Sequence, residues 1–242
     1  MVPRRAIIFL AAAWVLVVLY PDPGMLVSSI GNTARPHIEP EAVAGLAQRL
    51  PDDPRLIEAY VLESQVPYSY DWQSAGVPWY FPTTTEALRE GRGDCESRAL
   101  VLASILTAKG IPNELRLSFD HIWVDYPGKQ DNALENAAVQ FAGTEDGRFF
   151  IHWPKDFQLG QEISDQLGIY WTPAPAWRVL LLIAGLSLIA LWNALARRLG
   201  ARRLATDGLL PDQTPRRGGQ GRRARVQQRA RHSGVVARPQ RV

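Results

Sequence analysis

The sequence predicts an α+β domain held between two membrane-spanning helices. Helical patterns dominate residues 40–62 and 85–110, and strand patterns take over from residue 113 to residue 153. Long apolar runs lie on either side, at residues 6–20 and 176–196. The expected organisation is a signal-anchor or transmembrane segment at residues 1–24, a folded domain at 25–172, a transmembrane helix at 173–196 and a basic disordered tail at 197–242.

Within the domain the helices come first. Residues 40–50 place Val43, Leu46, Ala47 and Leu50 on one helical face. Asp53-Pro54 is a good helix start, predicting a helix over residues 53–62. Residues 66–85 hold Tyr68, Tyr70, Trp72, Trp79, Tyr80 and Phe81 among prolines and read as a structured loop. A short helix over residues 85–90 ends at Gly91. The next helix begins near Cys95, presents Ala99, Leu102, Ala103 and Leu106 on one side, and stops at Lys109-Gly110 before Pro112. Strands are predicted over residues 113–126, 134–142 and 148–153, the last two separated by a turn at Glu145-Asp146-Gly147.

The net charge of +3 conceals two opposite parts. From Arg197 onward there are thirteen Arg against two Asp, leaving 14 basic against 22 acidic residues before it. The body is acidic, so the basic balance gives no reason to expect a nucleic-acid-binding domain. The tail carries no aromatic residue to stack on bases, and its Arg clusters beside an apolar run suit anionic lipid head groups. No nucleic-acid partner is expected. A single cysteine excludes an intrachain disulfide scaffold.

Arg4 and Arg5 precede the first apolar run, and Arg197, Arg198, Arg202 and Arg203 follow the second. The positive-inside rule then places both termini in the cytoplasm and the domain on the extracytoplasmic side of the cell membrane. No clear small-residue cleavage site follows the first run, Val27-Ser28-Ser29 being the nearest, so an uncleaved anchor is expected. Trp171, Trp177 and Trp192 suit membrane-interface positions around the second run.

Cys95 follows a Gly91-Arg-Gly-Asp94 loop and opens a helix. A thiol there faces unpaired backbone N–H groups and the positive end of the helix dipole, which favour the reactive thiolate. His121 follows 26 residues later in a strand pattern, sharing a face with Trp123 and Asp125. A Cys/His nucleophile pair is expected, with a third polar group fixing the imidazole tautomer. His37 and His152 are spare histidines without such a pattern. One Cys and scattered His supply no metal-ligand cluster, so neither metal nor cofactor is expected.

Gly93-Asp-Cys95 opening a helix, Leu106 and Gly110-Ile-Pro112 after it, and His121-x-Trp-Val-Asp125 together resemble the core of the transglutaminase-like superfamily, relatives of papain. Tyr80-Phe-Pro-Thr-Thr-Thr-Glu-Ala-Leu88 is similar to the segment that leads into that family's cysteine helix, and the likeness covers about residues 60–155. It implies a nucleophile helix packed on an antiparallel sheet, with Cys95 as nucleophile and His121 as base. The family's third residue is an Asp on the strand after the His strand, commonly in a Leu-Asp-Pro context. Here Glu135 best fits that place, with Asn136 beside it, while Asp125 is a local alternative. At i+4 along a strand Asp125 lies roughly 13 Å from His121. An oxyanion hole would use the Cys95 backbone N–H, and Trp72 or Trp79 would be either a further donor or a cleft wall.

The expected activity is cleavage or transfer of acyl groups of peptide-like amides through a Cys95 thioester. A peptide or protein amide is the expected substrate, and membrane lipids are the other partner. The alternative is a catalytically silent envelope binding or assembly module of the same fold.

Overall fold

The computed structural model describes residues 3–118, 121–130, 132, 134–135, 138, 140–145, 148–151, 168 and 171–207. Two compact units divide at Ala196/Arg197, and the account below concerns the first.

Helix α1 (Arg4–Leu19) ends where Tyr20-Pro-Asp-Pro23 makes continuation impossible. Asp22 caps the next helix, α2 (Pro23–Ala34), by accepting the Gly24 N–H at 2.8 Å. The two helices meet at 82°. The apolar N-terminal run is therefore not the single straight span that its composition leads one to expect. It is a 16-residue helix that turns sharply into a second one.

A 3-10 turn (Pro40–Val43) and α3 (Ala44–Ala47) replace the single helix expected over residues 40–50. Helix α4 (Pro54–Tyr60) is capped by Asp53 and continues into a π-helical turn (Val61–Gln65). The aromatic loop contains one short helix, α5 (Asp71–Ser74). Helix α6 (Thr84–Glu90) starts in a capping box between Thr83 and Glu86 and ends at Gly91, whose φ of 66° is left-handed.

Helix α7 (Cys95–Ala108) is the axis of the domain. Every residue from Ala99 to Leu106 is buried, so the helix is enclosed on all sides rather than on the one face its sequence suggested. The 3-10 turn, α3, α4 and α6 pack against it on the helical side, and β1 and β2 cover it on the other.

The sheet is antiparallel, in the order β2-β1-β3-β4, with β1 (Glu114–Leu117), β2 (Ile122–Asp125), β3 (Ala142–Glu145) and β4 (Arg148–Ile151). The expected single strand over 113–126 is instead a hairpin. Ser118 N–H donates to the His121 carbonyl at 2.8 Å, closing the turn between β1 and β2. The register pairs Leu117 with Ile122 and Glu114 with Asp125. Ile122 and Val124 face the core against α7, together with Leu115 and Leu117. The strand expected over 134–142 is not found there: β3 starts at Ala142, the one residue the two share, and Leu134 and Glu135 lie in a bend before it.

Helix α8 (Ala176–Asp207) is the one helix among the described residues long and apolar enough by itself to cross a membrane, over Ala176–Leu199. Helices α1 and α2 meet that criterion only as a bent pair. Arg178 Nη1 donates to the Val18 and Leu19 carbonyls at the end of α1. The Trp14 indole lies so close to Gly185 that a Cβ there would come within 2.1 Å of it. These contacts run backward along α1 as they run forward along α8, so the two helices pair antiparallel. Arg4 and Arg5 therefore stand at the end of the pair away from the domain.

Candidate active site

Cys95 is the first residue of α7, placed there by an extended Asp94 that occupies the cap position without a capping side-chain bond. Gly93 admits this close approach. Its backbone pairs with Pro67 and Ser69, and a Cβ would strike the Ser97 side chain at 2.2–2.4 Å.

Cys95 and His121 line one cavity of about 280 Å³. His121 is the last residue before β2, held by its backbone N–H donating to Ser118 Oγ at 3.0 Å. The next backbone N–H, that of Ile122, points at the Cys95 sulfur. The β1–β2 turn thus delivers the imidazole to the head of α7. Trp123 stacks on the same side of β2 as His121, the rings 6.1 Å apart and 10° from parallel.

Glu135 meets that ring at Nε2. His121 Nε2 and Glu135 Oε1 are 3.0 Å apart. The bend that carries Glu135 is shaped by Asn132, whose Oδ1 accepts the backbone N–H groups of Leu134 and Glu135 and whose Nδ2 donates to Glu135 Oε2. Lys129 Nζ stands 3.2 Å from Glu135 Oε2 and also bonds Glu58, which in turn accepts from the Tyr126 hydroxyl. The hydrogen bond to His121, followed by the Lys129 charge, holds the Glu135 carboxyl down at about 2. Glu135 is a fixed anion, suited to orienting an imidazole.

Of the other candidates, Asp125 is exposed on β2 and pairs at 3.8 Å with Arg116 on the neighbouring strand. His37 is exposed and contributes only its carbonyl, which accepts from Thr84 Oγ1. Asn136 and His152 lie outside the described residues.

The electrostatics at Cys95 differ from the sequence expectation. Its thiol donates to Glu96 Oε2 at 3.0 Å. Burial, then the charges of Glu96 and Asp94, push the thiol well above its ordinary range, and the Ile122 N–H offsets only part of this. The helix dipole is outweighed, so the resting sulfur is a neutral thiol.

Sequence reasoning missed the carboxylates of this site. Glu96 and Asp94 act on the thiol, and Asp71 lines the same cavity. Burial and then Glu96 push Asp71 up to about 8, and the same two causes, joined by Asp71, raise Asp94 far above the carboxylate range. Asp71 Oδ2 accepts the Tyr80 N–H at 2.6 Å, and Glu96 Oε1 accepts from Trp79 Nε1 at 3.2 Å. Asp94 and Glu96 flank the cysteine in sequence and signalled themselves. Asp71 arrives from the aromatic loop and did not.

Trp72 and Trp79 are walls of the cavity, with Tyr68 and Tyr70 at its rim. The Trp79 N–H is committed to Glu96. Among the described residues no set of three His, Cys, Asp or Glu side chains is arranged to hold a metal ion. Comparison with protein families, characterised proteins and solved structures finds no match to this chain.

Proposed function

We propose that the chain is a membrane-anchored thiol enzyme with a transglutaminase-like core, acting on peptide-like amides on the extracytoplasmic side of the cell membrane. The observation that carries this reading is one cavity receiving a thiol from a helix start and an imidazole whose other face is held by a carboxylate.

The chemistry follows from the groups present. With Nε2 engaged by Glu135, Nδ1 is the nitrogen left to take the thiol proton. As the proton leaves the sulfur, Sγ bonds the amide carbonyl carbon, and the developing oxyanion is met by the Cys95 backbone N–H at the head of α7. The C–N bond then breaks, the imidazolium gives its proton to the departing amine, and a thioester remains. Water resolves it to an acid, as in a protease or amidase, or a second amine resolves it to a new amide. Glu135 keeps the ring oriented and balances its transient positive charge. The thiol must leave Glu96 before the first step.

The membrane assignment rests on the antiparallel α1/α8 pair, the exposed apolar surface of both helices, and the arginines at their outer ends. With those arginines cytoplasmic, both termini lie inside and the domain outside.

The test is capture of the thioester. The full chain, incubated with a mixed-sequence peptide amide pool and quenched in acid, should carry a hydroxylamine-sensitive adduct on Cys95 by mass spectrometry. Cys95→Ser and His121→Ala should carry none.

The second reading, a silent envelope binding module, is favoured by one observation: the resting thiol is neutral and bonded to Glu96. In a deletion strain with a phenotype, full complementation by Cys95→Ser, together with no adduct on the wild type, would decide for it.

A further inference from the structure

Helix α2 wears its polarity inside out. Ser29 and Asn32 are buried against the domain, where Ser29 Oγ accepts the Phe81 N–H at 3.0 Å and Asn32 Nδ2 donates to the Phe81 carbonyl at 2.9 Å. Val27 and Ile30, on the opposite side, are 70% and 58% exposed. A surface helix facing water buries its apolar stripe, whereas a helix lying on lipid exposes it. Helix α2 also leaves α1 at 82°, the angle needed for a helix to lie along a bilayer that α1 enters.

The walls of the Cys95 cavity are built from this same layer. Thr33, on the last turn of α2, lines the cavity together with Trp72 and Trp79. The Tyr20 hydroxyl, at the end of α1, donates to the Trp79 carbonyl at 3.0 Å. Arg178, two residues into the apolar helix α8, stacks its guanidinium over Trp72 at 5.3 Å and over Trp177 at 5.0 Å. Tyr, Trp and Arg at the ends of apolar helices mark the membrane–water interface. From Cys95 the contacts pass through Glu96 and Trp79 to Tyr20, so few side chains separate the sulfur from that belt.

We infer that the cavity opens at the bilayer surface, with α2 as its membrane-lying wall, and that its substrate is a segment of a polypeptide anchored in the same bilayer, presented where it leaves the lipid. The substrate half of this rests on the reading of Cys95 as an acyl-transfer nucleophile; the location does not. Anchoring both partners in one surface confines the search and raises the effective concentration of the scissile amide, so a shallow cavity can work without a deep specificity pocket. Trp72, Trp79, Phe81 and Phe141 of the lining suit apolar side chains, and the carboxylates among them suit the N–H groups of a peptide backbone.

Two measurements on the full chain in phosphatidylcholine/phosphatidylglycerol vesicles test this. In a Cys95→Ala background, Thr33→Cys reports the cavity wall. Asp52→Cys reports the far end of the domain, since Asp52 pairs with Lys109 at the other end of α7, about 20 Å from Cys95 at 1.5 Å per residue. Each is labelled with maleimide free in solution or carried on a phosphatidylethanolamine head group. The tethered-to-free rate ratio at position 33 should exceed that at position 52 at least tenfold, and equal ratios would overturn the location. The second measurement compares turnover of a mixed-sequence peptide amide pool coupled to phosphatidylethanolamine with that of the same pool in solution. The coupled pool should react at least tenfold faster, and Val27→Asp with Ile30→Asp, which lifts α2 while α1 and α8 stay anchored, should shrink that advantage and leave the free pool's rate unchanged. Equal rates for both pools would overturn the substrate assignment. Turnover of neither pool would remove the Cys95 chemistry and the substrate with it, while the labelling ratios still decide where the cavity opens.

Discussion

Glu96 accepts the thiol proton of Cys95 in a 3.0 Å hydrogen bond at the head of α7, where the helix dipole by itself favours the opposite ionisation. Two neighbouring carboxylates and burial decide the outcome, and the sulfur rests neutral. Alkylation reads this directly, because only the thiolate reacts. Iodoacetamide should label Cys95 more slowly than free cysteine at pH 7.5 and accelerate as pH rises. Glu96→Gln removes the nearest charge, and each unit by which the thiol is lowered raises the thiolate fraction about tenfold below its pKa. A Glu96→Gln rate at pH 7.5 no faster than wild type would show that Glu96 does not control the sulfur.

Asp71 makes the cluster pH-sensitive in the other direction. Its folded carboxyl sits near 8 against an ordinary value of 3.8, chiefly through burial. Between those values the folded chain keeps a proton that the unfolded chain has lost, so this group's contribution to stability falls as pH rises from about 4 to about 8. Asp71→Asn keeps an acceptor for the Tyr80 N–H and has no proton to lose. Its denaturation midpoint should match wild type near pH 4 and exceed it above pH 8. A gap that does not change with pH would show that Asp71 is ionised in the folded protein.

Glu135 carries the reverse sign. Its folded carboxyl, near 2, lies below the ordinary 4.5, so its stabilisation is complete above about 4.5 and is lost as pH falls toward 2. Glu135→Gln should cost about 1–3 kcal/mol at pH 7, and the difference from wild type should close in acid. The same variant should also slow thioester formation, because a neutral amide still accepts from His121 but cannot balance the charge of the imidazolium.

The parts of the site legible in the sequence are those set by local rules. Cys95 at a helix start could be read from the Gly91–Asp94 loop and the apolar run behind it. Glu135 could be placed only through a family likeness, since an Asx bend at Asn132 brings it to His121 and no periodicity announces that bend. The break of the 113–126 strand at Ser118–His121 was illegible for the same reason: Ser118 closes the turn, and neither Gly nor Pro marks it. The ionisation of Cys95 differs from the dipole argument because that argument leaves out burial and the Glu96 and Asp94 side chains on either side of the thiol. The N-terminal run hid its bend, although Pro21 and Pro23 on either side of Asp22 were the signal for it.

The pairing of α1 with α8 rests on one small residue. Gly185 lets the Trp14 indole lie against the α8 backbone, and a Cβ at position 185 would come within 2.1 Å of the ring. Small residues at such crossings let membrane helices approach closely. Gly185→Leu should therefore force the helices apart and lower the melting temperature of the full chain in detergent, at an overpacking cost of about 1–3 kcal/mol. The double variant Trp14→Ala, Gly185→Leu returns room to the crossing and should regain part of that loss, a non-additivity expected only of residues in contact. Strict additivity of the two changes would separate α1 from α8. It would also remove the support that Arg178 gives to the end of α1, and with it the frame on which Trp72 stands beside the cavity.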